Sequence, residues 1–218
     1  MIPFKDENPT ERFPFVTIGL IVLNCIVYLY ELSIGNRLPE FFYNYGAVPS
    51  EVIRLNSPHT LISSMFIHGG LIHLAGNMLY LWIFGNNIED RLGHLRFVVF
   101  YLLSGIIAAY GHALSAPSSD IPMVGASGAV SAILGAYMLL YPGAKVHTLI
   151  FFGFFVQVVR VPAVIIIGFW VIIQFLNALL TKTVGPGSSV AWFAHIGGFL
   201  FGLLSIKIWL PRRKRRSL

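Results

Sequence analysis

Apolar residues gather into six long stretches separated by shorter polar segments, a pattern typical of helices that cross a membrane. Five of the stretches have the roughly 20 residues that a helix needs to span a hydrocarbon core of about 30 Å. We therefore expect an all-α polytopic membrane protein, built as a bundle of six transmembrane helices. The stretches run over residues 14–33, 62–85, 95–116, 127–141, 161–180 and 190–210.

The fourth stretch is shorter than the others. At about 1.5 Å per residue, a helix over 127–141 would be only about 22 Å long and could not cross the membrane alone. One of its ends must then lie below the membrane surface, inside the protein or beside a water-filled cavity. Residues 115–126 are rich in Ser, Pro and Gly, so we expect the submerged end to be the one that begins with Ser127.

Basic residues set the expected orientation, because cytoplasmic loops carry an excess of Lys and Arg. With the N-terminus inside, twelve of the fifteen basic residues fall on the inner side, and only three fall outside. Both termini are thus predicted to be cytoplasmic in a multi-pass protein of the cell (plasma or inner) membrane. The expected division is a cytoplasmic N-terminal segment (1–13), a six-helix domain (14–210) and a basic cytoplasmic tail (211–218).

Composition supports the membrane assignment and narrows the partners. The chain is 56% hydrophobic and only 11% charged, whereas a soluble domain is about 25% charged. Its net charge of +6 does not indicate nucleic acid binding, because five basic residues cluster at 212–216 after the last apolar stretch. Such a cluster favours anionic lipid of the cytoplasmic leaflet, so the lipid bilayer is the expected partner.

Two stripes of small residues mark the fourth and sixth stretches, at the four-residue spacing that lets helix backbones approach closely in lipid. Ser127 directly precedes the first residue of one stripe, and His195 directly follows the first residue of the other. Contact between the stripes would bring a hydroxyl and an imidazole together, which are the groups of an activated nucleophile. The alternative is two packing stripes with an incidental serine and histidine. The stripes are Gly128, Ala132, Ala136 and Ala194, Gly198, Gly202.

A second polar pair lies in the second apolar stretch. His73 and Asn77 are four residues apart and so share one face of a helix. An acyl-transfer site needs donors directed at the oxyanion, and the Asn77 amide could donate beside the backbone N–H of Ser127. His73 could add a donor or orient Asn77. The alternative is a polar pair that bonds to neighbouring backbone and serves only packing.

The distribution of acidic and histidine residues selects among catalytic types. All nine carboxylates lie at or before Asp120, which disfavours a Ser-His-Asp triad and favours a dyad of Ser127 and His195. What orients His195 is then an open question. The seven histidines include no pair spaced three or four apart and no His-Glu-x-x-His, so no metal or other cofactor is expected.

These motifs together resemble the rhomboid family of intramembrane serine proteases, over nearly the whole chain. The stretch from His68 through His73 to Asn77 is similar to the family's second transmembrane helix. Gly-Ala-Ser-Gly at 125–128 is similar to its nucleophile motif, and Ala-His-Ile-Gly-Gly at 194–198 to its general-base helix. Residues 2–14 resemble the start of compact prokaryotic members with six helices.

The resemblance implies a serine endopeptidase, without a cofactor, that cuts single-span or other transmembrane proteins near the outer face. It implies that Ser127 attacks the peptide carbonyl and that His195 acts as base and then acid. Asn77, His73 and the Ser127 N–H would stabilise the oxyanion. The fifth helix and the loop 181–189 would serve as gate and cap.

The sequence departs from the family pattern at two places, and it is also compatible with two other functions. The first outer loop lacks the Trp-Arg pair of some members, and Ser131 stands where some have a tyrosine stacked on the catalytic histidine. One alternative function is a catalytically inactive rhomboid-like protein that binds or escorts transmembrane segments. A small transporter or channel is the other, which the absence of carboxylates from the second half of the chain disfavours.

Overall fold

A computed structural model describes residues 1–153, 155–184 and 191–211, and this part of the chain is mostly helical. Residues 185–189 of the expected cap loop 181–189 and residues 212–218 of the expected basic tail lie outside the described residues. Residues 181–184 of that expected loop belong instead to a helix. The α-helices are α1 (Phe15–Ile34), α2 (Leu38–Tyr45), α3 (Pro49–Arg54), α4 (Thr60–Ser63), α5 (Leu71–Tyr80), α6 (Asn86–Leu92), α7 (His94–Ser115), α8 (Ser127–Leu140), α9 (Ala163–Val184) and α10 (Trp192–Trp209).

Length and hydropathy identify the chain as a multi-pass membrane protein. Within the described residues, four helical segments can cross a membrane, and a bent pair of helices raises the number to five. The predicted count of six spans is not reached, because α8 has only 14 residues and would extend about 21 Å. The four segments are Phe15–Tyr45, His94–Ser115, Ala163–Leu180 and Trp192–Trp209.

The second apolar stretch does not form the single straight helix expected over 62–85. A short helical segment, Thr60–Phe66, and a longer one, Leu71–Leu92, meet at an angle of 96°. The break is stabilised from another helix, because Glu31 of α1 accepts the backbone N–H of His68 at 3.0 Å. Hydropathy could not reveal the break, since the satisfaction of its backbone donor depends on a residue 37 positions away.

The chain is mostly helical, as expected for a polytopic membrane protein, but it also contains a three-stranded antiparallel sheet that the all-α expectation did not include. Its strands are β1 (Ile2–Asp6), β2 (Lys145–Phe152) and β3 (Phe155–Pro162), in the order β1-β2-β3. Residues 145–162 are rich in Val and Phe, which favour strands. Val146 and Thr148 alternate as fully buried positions of β2. These apolar residues therefore form a hairpin, in which the backbone groups of β2 and β3 bond to each other.

The N-terminal segment is part of the folded body. Through β1 it pairs with β2, and its Asp6 side chain is buried against the ends of two helices. Asp6 Oδ2 accepts hydrogen bonds from the Tyr137 hydroxyl at 2.7 Å and from Asn87 Nδ2 at 2.8 Å. Glu7 forms an ion pair with Arg160 of β3 at 3.1 Å. Segment 1–13 thus ties the hairpin, α6 and α8 together.

A buried carboxylate caps the first membrane helix. Glu89 of α6 has no exposed surface and accepts the backbone N–H groups of Val16 and Thr17 at 2.9 and 2.7 Å. The Thr17 hydroxyl donates to the same carboxylate at 2.7 Å. The first N–H groups of a helix lack partners within it and form its positive end, so a carboxylate there is stabilising. Glu89 therefore fixes the start of α1 against α6.

Helices α8 and α10 are in direct backbone contact through glycines, as the small-residue stripes predict. A Cβ at Gly198 would overlap the main-chain oxygen of Gly128, and one at Gly202 would overlap that of Ala132. Gly135, which lies outside the predicted stripe, faces the main-chain oxygen of Phe199 in the same way. No larger residue fits at these positions while the helices keep this separation.

Replacement of Gly202 by alanine should therefore destabilise the bundle. The added methyl group must push α10 away from Ala132, and overpacking of this kind costs about 1–3 kcal/mol. Gly168→Ala in α9 is a matched control, because a Cβ there meets nothing within 4 Å. The free energy of unfolding in mixed micelles measures both. Equal stability of the two variants would contradict the close contact.

Asp6 should make stability depend on pH. Burial is the main cause that raises the pKa of Asp6 above its ordinary value of 3.8, although the bonds from Tyr137 and Asn87 oppose the rise. The folded protein then holds the proton more tightly than the unfolded chain, so the contribution of Asp6 is full below pH 3.8 and declines as pH rises through the raised pKa. Unfolding measured from pH 4 to 7 should show wild type losing stability relative to Asp6→Asn, and a constant difference would contradict this.

Candidate active site

Ser127 begins α8 directly after a turn that only glycine can form. Gly125 has a φ of +120°, in the left-handed region that side chains rarely adopt. A Cβ on Gly125 would lie 2.7 Å from His73 Cε1 and 3.6 Å from Asn77 Nδ2. The Gly125 N–H donates to the main-chain oxygen of Ser64 at 2.8 Å. The turn that leads into Ser127 thus lies against His73 and Asn77 of α5.

His195 lies in the first turn of α10 and reaches across to this serine. Its Nε2 is 2.8 Å from Ser127 Oγ, which is hydrogen-bond distance. The imidazole lies beside two indoles, with ring centroids 5.8 Å from Trp170 and 6.0 Å from Trp192. The glycine contacts between α8 and α10 bring the two polar residues together, although they are 68 positions apart in sequence.

Asn77 presents an unused donor at the same turn. Its side chain is buried, with 6% of its surface exposed, and Nδ2 has no hydrogen-bond partner within the described residues. A buried donor without a partner is unfavourable unless a bound molecule accepts a hydrogen bond from it. The neighbouring His73 ring contacts the ring of His68 at a centroid distance of 5.2 Å. The structure therefore brings all four sequence-predicted site residues, Ser127, His195, Asn77 and His73, into one cluster.

Gln174 of α9 is the site residue that sequence reasoning missed. Its Oε1 is 2.7 Å from His195 Nδ1, and the side chain is 6% exposed. The signal was present, because Gln174 is one of only two amide side chains in the apolar stretch 161–180. A polar residue within a membrane helix indicates function by default. Its pairing with His195 could not be read from the sequence, since it depends on how α9 packs against α10.

Other polar residues considered from the sequence have different partners. Ser131 donates its hydroxyl to the Ser127 main-chain oxygen at 2.5 Å. Asp120, between α7 and α8, accepts a hydrogen bond from the Ser50 hydroxyl of α3 at 2.7 Å. Within the described residues, no three His, Cys, Asp or Glu side chains are grouped as metal ligands. The chemistry that this cluster can support is therefore that of an activated hydroxyl beside hydrogen-bond donors.

The chain is a helical membrane protein in which a serine at the start of a short helix lies within hydrogen-bond distance of a histidine. The family model described as "Rhomboid domain" matches residues 55–212, which is more than half of the chain. The chain belongs to the rhomboid family.

Curated relatives include named proteases. The chain is 33% identical to the rhomboid protease GluP of Bacillus subtilis over 63% of this chain and 25% of that protein. It is 31% identical to the mitochondrial rhomboid protein 1 of Saccharomyces cerevisiae over 77% of this chain and 47% of that protein. It is 24% identical to the rhomboid protease GlpG of Yersinia pseudotuberculosis over 96% of this chain and 71% of that protein. The chain thus spans a quarter to about half of the length of the first two.

Gly125→Ala should disturb the site more than the fold. A left-handed conformation costs an L-residue about 1–2 kcal/mol, and the new methyl group would displace the His73 ring. We expect slower modification of Ser127 by a fluorophosphonate probe, by about tenfold, if that strain moves the hydroxyl by a few tenths of an ångström. Gly76→Ala, on the helix of His73 and Asn77 but with open space around its Cβ, should react as wild type does. Equal rates for the two variants would contradict the expectation.

Proposed function

We propose that this protein is an intramembrane serine endopeptidase that hydrolyses peptide bonds in or near the transmembrane segments of other membrane proteins. The observation that carries the proposal is the 2.8 Å separation of His195 Nε2 and Ser127 Oγ. Family membership and the named proteases among the relatives support it. The proposed catalytic group is a dyad, because the Nδ1 side of His195 faces an amide and not a carboxylate.

The dyad geometry supports a two-step acyl transfer. Ser127 Oγ attacks the peptide carbonyl carbon while His195 Nε2 takes the hydroxyl proton, and His195 then returns that proton to the leaving amine. Water next attacks the acyl-serine ester with His195 again as base, which releases the new carboxyl group and regenerates the Ser127 hydroxyl. The steps consume one water and leave the enzyme unchanged.

The oxyanion of each tetrahedral intermediate would be stabilised by donors on the other side of the serine. Asn77 Nδ2 is buried at the nucleophile turn and lacks a partner among the described residues, so it can donate without breaking an existing bond. Ser127 is the first residue of α8, and the first N–H groups of a helix have no partner within it, so the Ser127 N–H is a second proposed donor. His73 lies against the same turn and could donate as well.

The membrane setting follows from the position of Ser127. A 14-residue helix cannot span the bilayer, so we propose that α8 starts below the surface and that a water-filled opening reaches it. The twelve-to-three distribution of basic residues supports a cytoplasmic location of both termini, and with that orientation the opening would face the outer side of a cell membrane. Substrates would be single-span or other transmembrane proteins, and no cofactor takes part.

Substitution of either member of the dyad should abolish proteolysis. Ser127→Ala removes the nucleophile and His195→Ala removes its base, and loss of either should lower kcat by at least about 10³-fold, because the two groups act as a unit. Cleavage of a single-span substrate in proteoliposomes, followed by mass spectrometry of the products, measures the effect. Ser33→Ala and His59→Ala, which alter the same residue types away from the cluster, should cleave at the wild-type rate.

A catalytically inactive membrane-segment binder would behave differently in the same assay. It would bind the substrate without cleavage, and a fluorophosphonate probe would not label Ser127 in wild type. Full cleavage by Ser127→Ala or His195→Ala, with both variants folded, would refute the proposed dyad.

A further inference from the structure

We propose that Gln174 is a positioning residue that selects the reactive form of His195. The proposal rests on the proposed function of the Ser127–His195 dyad and explains what orients its imidazole. Gln174 belongs to α9, whereas Ser127 begins α8 and His195 lies on α10. Three helices therefore converge on one line of hydrogen bonds.

The direction of this line is set by a backbone oxygen. The Trp170 carbonyl can only accept, and Gln174 Nε2 donates to it at 3.3 Å. The other end of the amide, Oε1, therefore faces His195 Nδ1 at 2.7 Å, and it too can only accept. The proton of the neutral imidazole must then reside on Nδ1.

The consequence falls on the opposite nitrogen of the ring. With the proton on Nδ1, Nε2 carries a lone pair and can accept the hydroxyl proton of Ser127, 2.8 Å away. The reversed amide would direct Nε2–H of Gln174 at Nδ1 and would favour the tautomer that donates toward Ser127, in which the serine is not activated. It would also place two oxygens face to face at Trp170, which makes that arrangement unfavourable.

A neutral amide suits this location better than the carboxylate of a triad. Gln174 is buried in a helix that qualifies as a membrane span, where an ionised side chain is expensive. Its oxygen still accepts from Nδ1 when His195 becomes protonated during the reaction. Gln174 can thus fix the tautomer throughout the cycle without introducing a buried charge.

Kinetics of three variants test this role. Gln174→Met keeps the length but removes the acceptor, so kcat should fall about tenfold or more while KM changes less than about twofold, as expected for impaired general-base catalysis. Gln174→Glu retains an acceptor oxygen and should recover part of the lost kcat. Ile172→Met, at an exposed position on the same helix, is the matched control and should match wild type.

A spectroscopic measurement separates this proposal from the proposed function. In protein labelled with ¹⁵N-histidine, the His195 signals, identified by their absence from His195→Ala, should show the Nδ1-protonated tautomer in wild type. Gln174→Met should populate the other tautomer, and this readout needs no substrate. An Nε2-protonated His195 in wild type overturns the proposal even if the enzyme is active. Equal loss of kcat in Gln174→Met and Gln174→Glu, without a change of tautomer, also overturns it.

Discussion

The backbone contact between α8 and α10 is the constraint on which the site depends. Gly198 and Gly202 lie against main-chain oxygens of α8, so that no side chain separates the two helices. Lipid offers little hydrophobic drive for helix association, and close van der Waals packing of this kind replaces it. A separation larger by the width of one methyl group would take His195 Nε2 out of hydrogen-bond distance from Ser127 Oγ.

The polar groups around this contact are arranged so that little charge is buried near the nucleophile. An amide faces each side of the pair, with Gln174 on Nδ1 of His195 and Asn77 at the turn before Ser127. Two buried carboxylates have partners away from this pair, since Glu31 accepts the backbone N–H of His68 and Glu89 caps α1. Carboxylates thus fix helix ends and breaks, while neutral groups surround the proposed reaction.

The three-stranded sheet supports the helical bundle through contacts with several helices. Strand β1 joins the hairpin of β2 and β3, and Asp6 connects that sheet to α6 and α8 through Asn87 and Tyr137. Because β3 runs directly into α9, the sheet also fixes the start of the helix that carries Gln174. A sheet was not expected from hydropathy, which does not distinguish a short apolar strand from a buried helix.

Composition and spacing were enough to predict the membrane class, the short helix that begins with Ser127, the small-residue stripes of α8 and α10, and the shared helix face of His73 and Asn77. Each of these depends on composition or on residue spacing within one helix, and neither requires knowledge of how the helices pack. The 96° break near His68, the sheet, and the contact of Gln174 with His195 became visible only in the folded chain. Each of these satisfies a polar group with a partner distant in sequence, and such pairing is chosen by packing and not by periodicity.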